Sequence, residues 1–168
     1  RGRKINFIMS EKKLRFETKQ IHGGYHVDHT GSRGVAIYPT AAYHFKSCDY
    51  AANLFELSEP GNIYTRLHNP NADEAGARIA YMEGGEAGMI MSCGMGAITA
   101  TLWTILKAGD HIVSDETLYG CTYALFSEGM PRFGVNVTFV DFTNPEAVRA
   151  AIRPETKVVY CETATNPD

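Results

Sequence analysis

The sequence predicts an α/β fold built on a mainly parallel sheet covered by helices, and three observations carry that expectation. From residue 70 onward, short apolar runs alternate with helical stretches at a spacing of roughly two dozen residues, the pattern of strand–helix–strand units. Prolines open several of the helical stretches and glycines close them. The chain has 168 residues, 44% of them hydrophobic, which is enough for one domain with a sizeable core.

Taken in order, Pro70 can serve as a first helical residue. Ala72, Ala75, Ile79, Ala80 and Met82 then form a helical stripe that ends at Gly84-Gly85. The apolar run 87–91 reads as a strand that enters the turn Ser92-Cys93-Gly94-Met95-Gly96. Ala97 to Leu106 reads as a helix closed by Gly109. The remaining elements are a strand over 111–114, a helix over 119–128, a strand over 135–140, a helix over 145–152 and a last strand over 158–161. Residues 9–69 lack sustained periodicity and contain Gly23-Gly24, Gly31, Gly34, Pro39, Pro60 and Gly61. They are expected to form an extended arm with one short helix near 49–57, of the kind that packs on a partner subunit. Residues 1–8 stand apart as an extension before a natural-looking start at Met9-Ser10. The expected organisation is therefore extension 1–8, arm 9–69 and α/β domain 70–168.

Sixteen basic residues against nineteen acidic ones leave a formal net charge of -3. No block of like charge is present to attract nucleic acid or a membrane surface. The four cysteines, Cys48, Cys93, Cys121 and Cys161, have no metal-ligand spacing and read as reduced thiols of a cytoplasmic protein. His22, His26 and His29 cluster in sequence, but Gly23-Gly24 argues against a helix that would align His22 with His26, so no metal site is expected. The basic start of residues 1–8 is too short in its apolar part for a signal peptide.

Ligands of such sheets bind where the chain leaves the carboxyl ends of strands. Three stretches stand at such places, 115–121, 162–166 and the turn 92–96. The glycines of that turn let the backbone approach an anion, and a helix start offers unpaired N–H groups. An ordinary strand–helix turn needs glycine too, and the motif alone leaves the two readings level. It has neither the Lys-Ser or Lys-Thr of a P-loop nor the spacing of a dinucleotide fingerprint. Tyr64 and Arg66 could both donate to phosphate oxygens from their loop, although a surface Arg beside a packed Tyr is the commoner arrangement. Tyr119 could stack on a flat heteroaromatic ring with its hydroxyl available for proton transfer. Cys121 lies near a helix start that would favour its thiolate. Taken singly, core Tyr and inert Cys explain that pair as well.

In series, the segments YTRLHNP, MEGGEA, SCGMGAI, LKAGDHIVSDETLYG and VVYCETATNPD resemble the Cys/Met-metabolism family of pyridoxal-phosphate enzymes over nearly all of residues 17–168. The family comprises methionine γ-lyase, cystathionine γ-lyase, cystathionine γ-synthase and homoserine sulfhydrylases. The resemblance implies the aspartate aminotransferase-like fold type I and pyridoxal 5'-phosphate as cofactor. It implies that the amides of Gly94 and Met95 hold the cofactor phosphate, and that Tyr64 and Arg66 reach across a dimer interface to the neighbour's phosphate. It places Tyr119 on the pyridine ring and Asn166 near the cofactor's phenolic oxygen, with Glu162 at the same strand end. The cysteine in Tyr119-Gly120-Cys121-Thr122 is similar to the methionine-cleaving branch, whose siblings have glycine there.

That branch takes a small sulfur amino acid, L-methionine, to 2-oxobutanoate, methanethiol and ammonia, with Tyr119 protonating the leaving thiol and Cys121 shaping specificity. The family's dimer of dimers is implied with it. Departures from the family pattern are Asn71 for threonine, His68 for glycine, Cys93 for serine and Ala164 for proline. The family's catalytic lysine stands in a Ser-x-Thr-Lys context, which no lysine here has. The resemblance thus implies an N-terminal part of a longer enzyme, inactive by itself. The alternatives are a sibling activity within the family, a catalytically inactive dimerising fragment and an unrelated nucleotide-binding module.

Overall fold

The computed structural model describes residues 14–25 and 27–165. The chain divides into two compact units, Arg1–Ile90 and Met91–Asp168.

The first unit carries three helices, α1 (Phe16–His22), α2 (Cys48–Phe55) and α3 (Pro70–Glu83). Helix α3 begins as the sequence predicts. Asn69 caps it by accepting the Asn71 N–H, and Pro70 occupies its first turn, where a missing N–H costs nothing. It ends at Gly84, whose left-handed φ of 72° suits a residue without Cβ. Helix α1 was not expected, because its seven residues show no apolar stripe. It forms against α3, where Gly24 meets the Ala77 backbone so closely that a Cβ would lie 2.7 Å from it. His22 closes α1, and His26 lies outside the described residues, as do 1–13 and 166–168.

The run 87–91 is not a strand. It pairs with no strand among the described residues and leaves Met89, Ile90 and Met91 exposed. Gly88 instead lies against Gly76 of α3, backbone to backbone, at a separation neither would allow with a side chain.

The second unit is the α/β part. It runs α4 (Gly94–Ile105), β1 (His111–Asp115), α5 (Gly120–Ala124), a π-helical turn (Leu125–Gly129), α6 (Met130–Arg132), β2 (Asn136–Val140), α7 (Pro145–Ala151) and β3 (Thr156–Tyr160). The strands form a parallel sheet in the order β2-β1-β3. Its core is Leu102, Leu106, Ile112, Leu118, Phe126, Met130 and Val135. The helix expected over 119–128 continues to Arg132. Pro131 cannot donate the helical bond at its position, and the widened π turn just before it absorbs the mismatch. No helix among the described residues is long and apolar enough to cross a membrane.

Candidate functional site

The carboxyl ends of β1 and β3 bring together most of the residues singled out in the second unit. Helix α4 starts three residues earlier than glycine propensity suggests, because Cys93 caps it. Its Sγ accepts the Gly96 N–H at 3.2 Å. Gly94 and Met95 are therefore the first two helical residues, and by helix geometry their amides have no partner within the helix. Gly94 is exposed, with open space where a Cβ would stand.

Helix α5 starts beside α4. The buried Thr122 hydroxyl donates to Met95 Sδ at 3.8 Å, which joins the two first turns. Tyr119, the residue before α5, is 42% exposed. Its phenol oxygen lies 3.4 Å from Cys121 Sγ, the thiol donating. The phenol's pKa is raised above its ordinary value, first by the hydrogen bond with Cys121, then by the charge of Cys121 and then by burial.

Glu162, two residues beyond β3, completes this edge. Its Oε2 accepts the Tyr119 N–H at 2.8 Å, and its Oε1 accepts the Tyr160 hydroxyl at 3.4 Å. Tyr160 in turn packs edge-on against buried Phe126, ring centres 5.0 Å apart. Burial first, and then the Glu162 charge, raise the Tyr160 pKa. Neither this carboxylate link nor the Thr122–Met95 contact was legible in sequence. Both join residues far apart in the chain, and nothing local marks them.

Tyr64 and Arg66 belong to the first unit. The Arg66 guanidinium sits 5.3 Å from the centre of the Tyr64 ring, close enough for a cation–π contact, and both side chains are exposed. Their loop is anchored by an antiparallel bridge between Ala42 and Tyr64, by the Thr65 N–H to the Ala41 carbonyl at 2.8 Å, and by the Thr65 hydroxyl to the Thr40 carbonyl. Asn166 lies outside the described residues.

The donor set suits an oxyanion flanked by an aromatic ring. Main-chain amides at the start of a twelve-residue helix attract a phosphate group. The exposed Tyr119 ring stands at the adjoining helix start and offers a face to a planar heterocycle. These residues fit a phosphorylated pyridine such as pyridoxal 5'-phosphate. Among the described residues no group of three or more His, Cys, Asp or Glu is placed to hold a metal ion.

Comparison with known proteins agrees with this chemistry. The chain is 50% identical over 160 residues to the L-methionine gamma-lyase of Fusobacterium nucleatum subsp. nucleatum, covering 95% of this chain and 40% of that protein. It is 47% identical over 157 residues to the L-methionine gamma-lyase of Treponema denticola, covering 94% of this chain and 39% of the relative. Among solved structures it superposes, with a TM-score of 0.84 and 36% identity, on a candidate O-acetylhomoserine (thiol)-lyase of Campylobacter jejuni that carries N'-pyridoxyl-lysine-5'-monophosphate. That match covers 92% of this chain and 38% of the other. The chain thus spans about 40% of the length of the curated relatives it matches. Residues 17–168 match the family described as Cys/Met metabolism PLP-dependent enzyme, and the chain belongs to that family.

Proposed function

We propose that a full-length protein carrying this chain is a cytoplasmic pyridoxal-phosphate-dependent lyase that converts L-methionine and water to 2-oxobutanoate, methanethiol and ammonia. The observation that carries the reading is the junction of α4 and α5. Two helix starts meet through Thr122 and Met95, and a glycine-containing helix start thus lies beside an exposed tyrosine whose phenol oxygen accepts from a cysteine thiol. Similarity to two L-methionine gamma-lyases supports the choice of substrate.

The residues divide the work as follows. The amides of Gly94 and Met95 bind the cofactor phosphate, and the Tyr119 ring covers the pyridine. The cofactor, when bound, supplies the electron sink for carbanion chemistry at the substrate. Tyr119 Oη carries the proton that the departing sulfur needs, and Cys121, bonded to that oxygen, contacts the γ-substituent. The resemblance to the family assigns Asn166 to cofactor binding. Tyr64 and Arg66 reach the phosphate of the neighbouring subunit in a homodimer, and two dimers pair as a tetramer.

The test is a substrate panel on the full-length protein loaded with cofactor. L-Methionine should release methanethiol with a higher kcat/KM than L-cystathionine is cleaved, and O-acetylhomoserine with sulfide should be a poor pair. A preference for cystathionine or for O-acetylhomoserine would move the protein to a sibling activity.

A further inference from the structure

The N–H of Tyr119 needs a partner that its own helix does not supply. Tyr119 precedes α5 with φ −54° and ψ 134°, and no side chain caps that helix. Within α5 the Tyr119 carbonyl accepts the Tyr123 N–H at 2.9 Å, while the Tyr119 N–H, ahead of the helix, has no partner there. What holds it comes from 43 residues further on, the carboxylate of Glu162 accepting the Tyr119 N–H at 2.8 Å. The second carboxylate oxygen faces the Tyr160 hydroxyl at 3.4 Å. Tyr160 ends β3 and is braced by Phe126, so the carboxylate is tied to the rigid sheet.

From this geometry we propose that Glu162 is a positioning residue of the reaction. It ties the main chain of Tyr119 to the end of β3 and so sets the placement of the Tyr119 ring and hydroxyl. The inference rests on the role given to Tyr119 above. A charged acceptor bonded to a main-chain N–H is among the stronger protein hydrogen bonds. Its loss lets the loop between β1 and α5 shift. A displacement of about 1 Å at a proton-transferring group can cost on the order of a hundredfold in rate. The neighbouring Cys121 would move with it, because both residues hang from the same two-residue step.

The experiment uses the full-length, cofactor-loaded protein with three variants. Glu162→Gln keeps an amide oxygen for the Tyr119 N–H, Glu162→Ala removes the acceptor, and Tyr160→Phe removes only the bracing hydroxyl. Two readouts are followed, steady-state kinetics and the visible circular dichroism of the bound cofactor without substrate, which reports the asymmetry imposed by the ring lying on it. The expected result is a fall in kcat of about tenfold to a hundredfold for Glu162→Ala, with KM changed by less than about threefold and an altered dichroic band. Glu162→Gln should recover most of both signals, and Tyr160→Phe should lie between. Equal losses in Glu162→Gln and Glu162→Ala would overturn the proposal, since the charge and not the hydrogen bond would then matter. An unchanged dichroic band in Glu162→Ala would overturn it as well. If Glu162→Ala fails to fold, Tyr160→Phe with wild-type kinetics and dichroism decides against the proposal. The dichroic arm needs no substrate, so a protein that prefers another sulfur amino acid would refute the methionine reading and leave this one standing.

Discussion

His111 Nδ1 and Thr156 Oγ1 lie 2.8 Å apart, joining the first residue of β1 to the first residue of β3. The other ring nitrogen meets Thr138 Oγ1 of β2 at 2.9 Å. One fully buried imidazole thus bridges all three strands. Its pKa is lowered from the ordinary 6.5 by burial first and by Arg153 second, with Glu155 opposing. The folded protein therefore holds this ring neutral at pH values where the unfolded chain would protonate it. The stabilisation is complete above the unfolded pKa and is lost as pH falls below it toward the folded pKa, at most about 1.4 kcal/mol per pH unit for one proton. The unfolding midpoint of the full-length protein should drop between pH 7.5 and 5.5, and His111→Gln should flatten that slope. An unchanged slope would assign the acid sensitivity to other groups.

Asn71, in the first turn of α3, offers a second test, of how the arm is held. Its Oδ1 accepts the Tyr38 N–H at 2.8 Å and its Nδ2 donates to the Ala36 carbonyl at 2.7 Å. The amide therefore pairs with residues 36–38 as a neighbouring strand would. Threonine, which the family pattern expects here, would have to make both bonds through a single, shorter hydroxyl group. Asn71→Ala should release the segment at a cost of about 1–2 kcal/mol. The readout is tryptic cleavage after the exposed Arg33, which should quicken severalfold. Cleavage at the wild-type rate would show that the arm is held elsewhere.

How far the sequence disclosed this molecule follows from where each signal lives. Pro70, Gly84 and Pro145 mark helix ends by their own backbone chemistry, and the structure uses them so. The alternation that predicts the parallel sheet is likewise local. Helix α1 exists only because α3 lies beside it, and residues 87–91 stay out of the sheet while Gly88 rests on Gly76. Neither fact has a local signature. The sequence points to a start of α4 at Ala97 because glycine weighs against helix, whereas the thiol cap at Cys93 lets it begin at Gly94. For the candidate site, Tyr119 and Cys121 stand out through the family resemblance, since type and spacing alone suit packing residues equally well. Glu162 already stands at a strand end that the sequence marks, and folding adds the bond from the Tyr119 N–H to its carboxylate.

Cys93 itself can be improved. A sulfur acceptor at 3.2 Å from the Gly96 N–H is a weaker cap than a hydroxyl oxygen. Cys93→Ser should stabilise the start of α4 by about 0.5–1 kcal/mol and add a hydroxyl donor beside the Gly94 and Met95 amides. Equilibrium dialysis of the full-length variant should then show cofactor held severalfold more tightly. Weaker binding would count against a phosphate at this turn.

Cys121 should decide which substrate is preferred. It touches the Tyr119 hydroxyl and is exposed, so in the proposed site it faces the γ-substituent and not the shared cofactor. In the full-length protein, Cys121→Gly should lower kcat/KM for methionine by about tenfold or more, with a change below about threefold for cystathionine. Equal losses on both substrates would reduce Cys121 to packing.

The proposed subunit boundary can be tested with two full-length variants, Arg66→Ala and Tyr119→Phe. Arg66 is exposed and contacts the Tyr64 ring, an arrangement suited to reaching outward. If Arg66 serves the neighbour's site while Tyr119 serves its own, each homodimer is impaired at both sites. In a mixed dimer the Arg66→Ala subunit keeps its own Tyr119 and borrows an intact Arg66 from its partner, so one site is whole. The other site carries both defects. Losing a buried arginine–phosphate contact costs on the order of 2–5 kcal/mol, which keeps the parental background low. Co-refolding the two variants should therefore recover activity well above either parent and approach one working site per mixed dimer. A mixture that shows only the average of its parents would place Arg66 and Tyr119 in the site of a single subunit, and the crossing role of Tyr64 and Arg66 would fall with it.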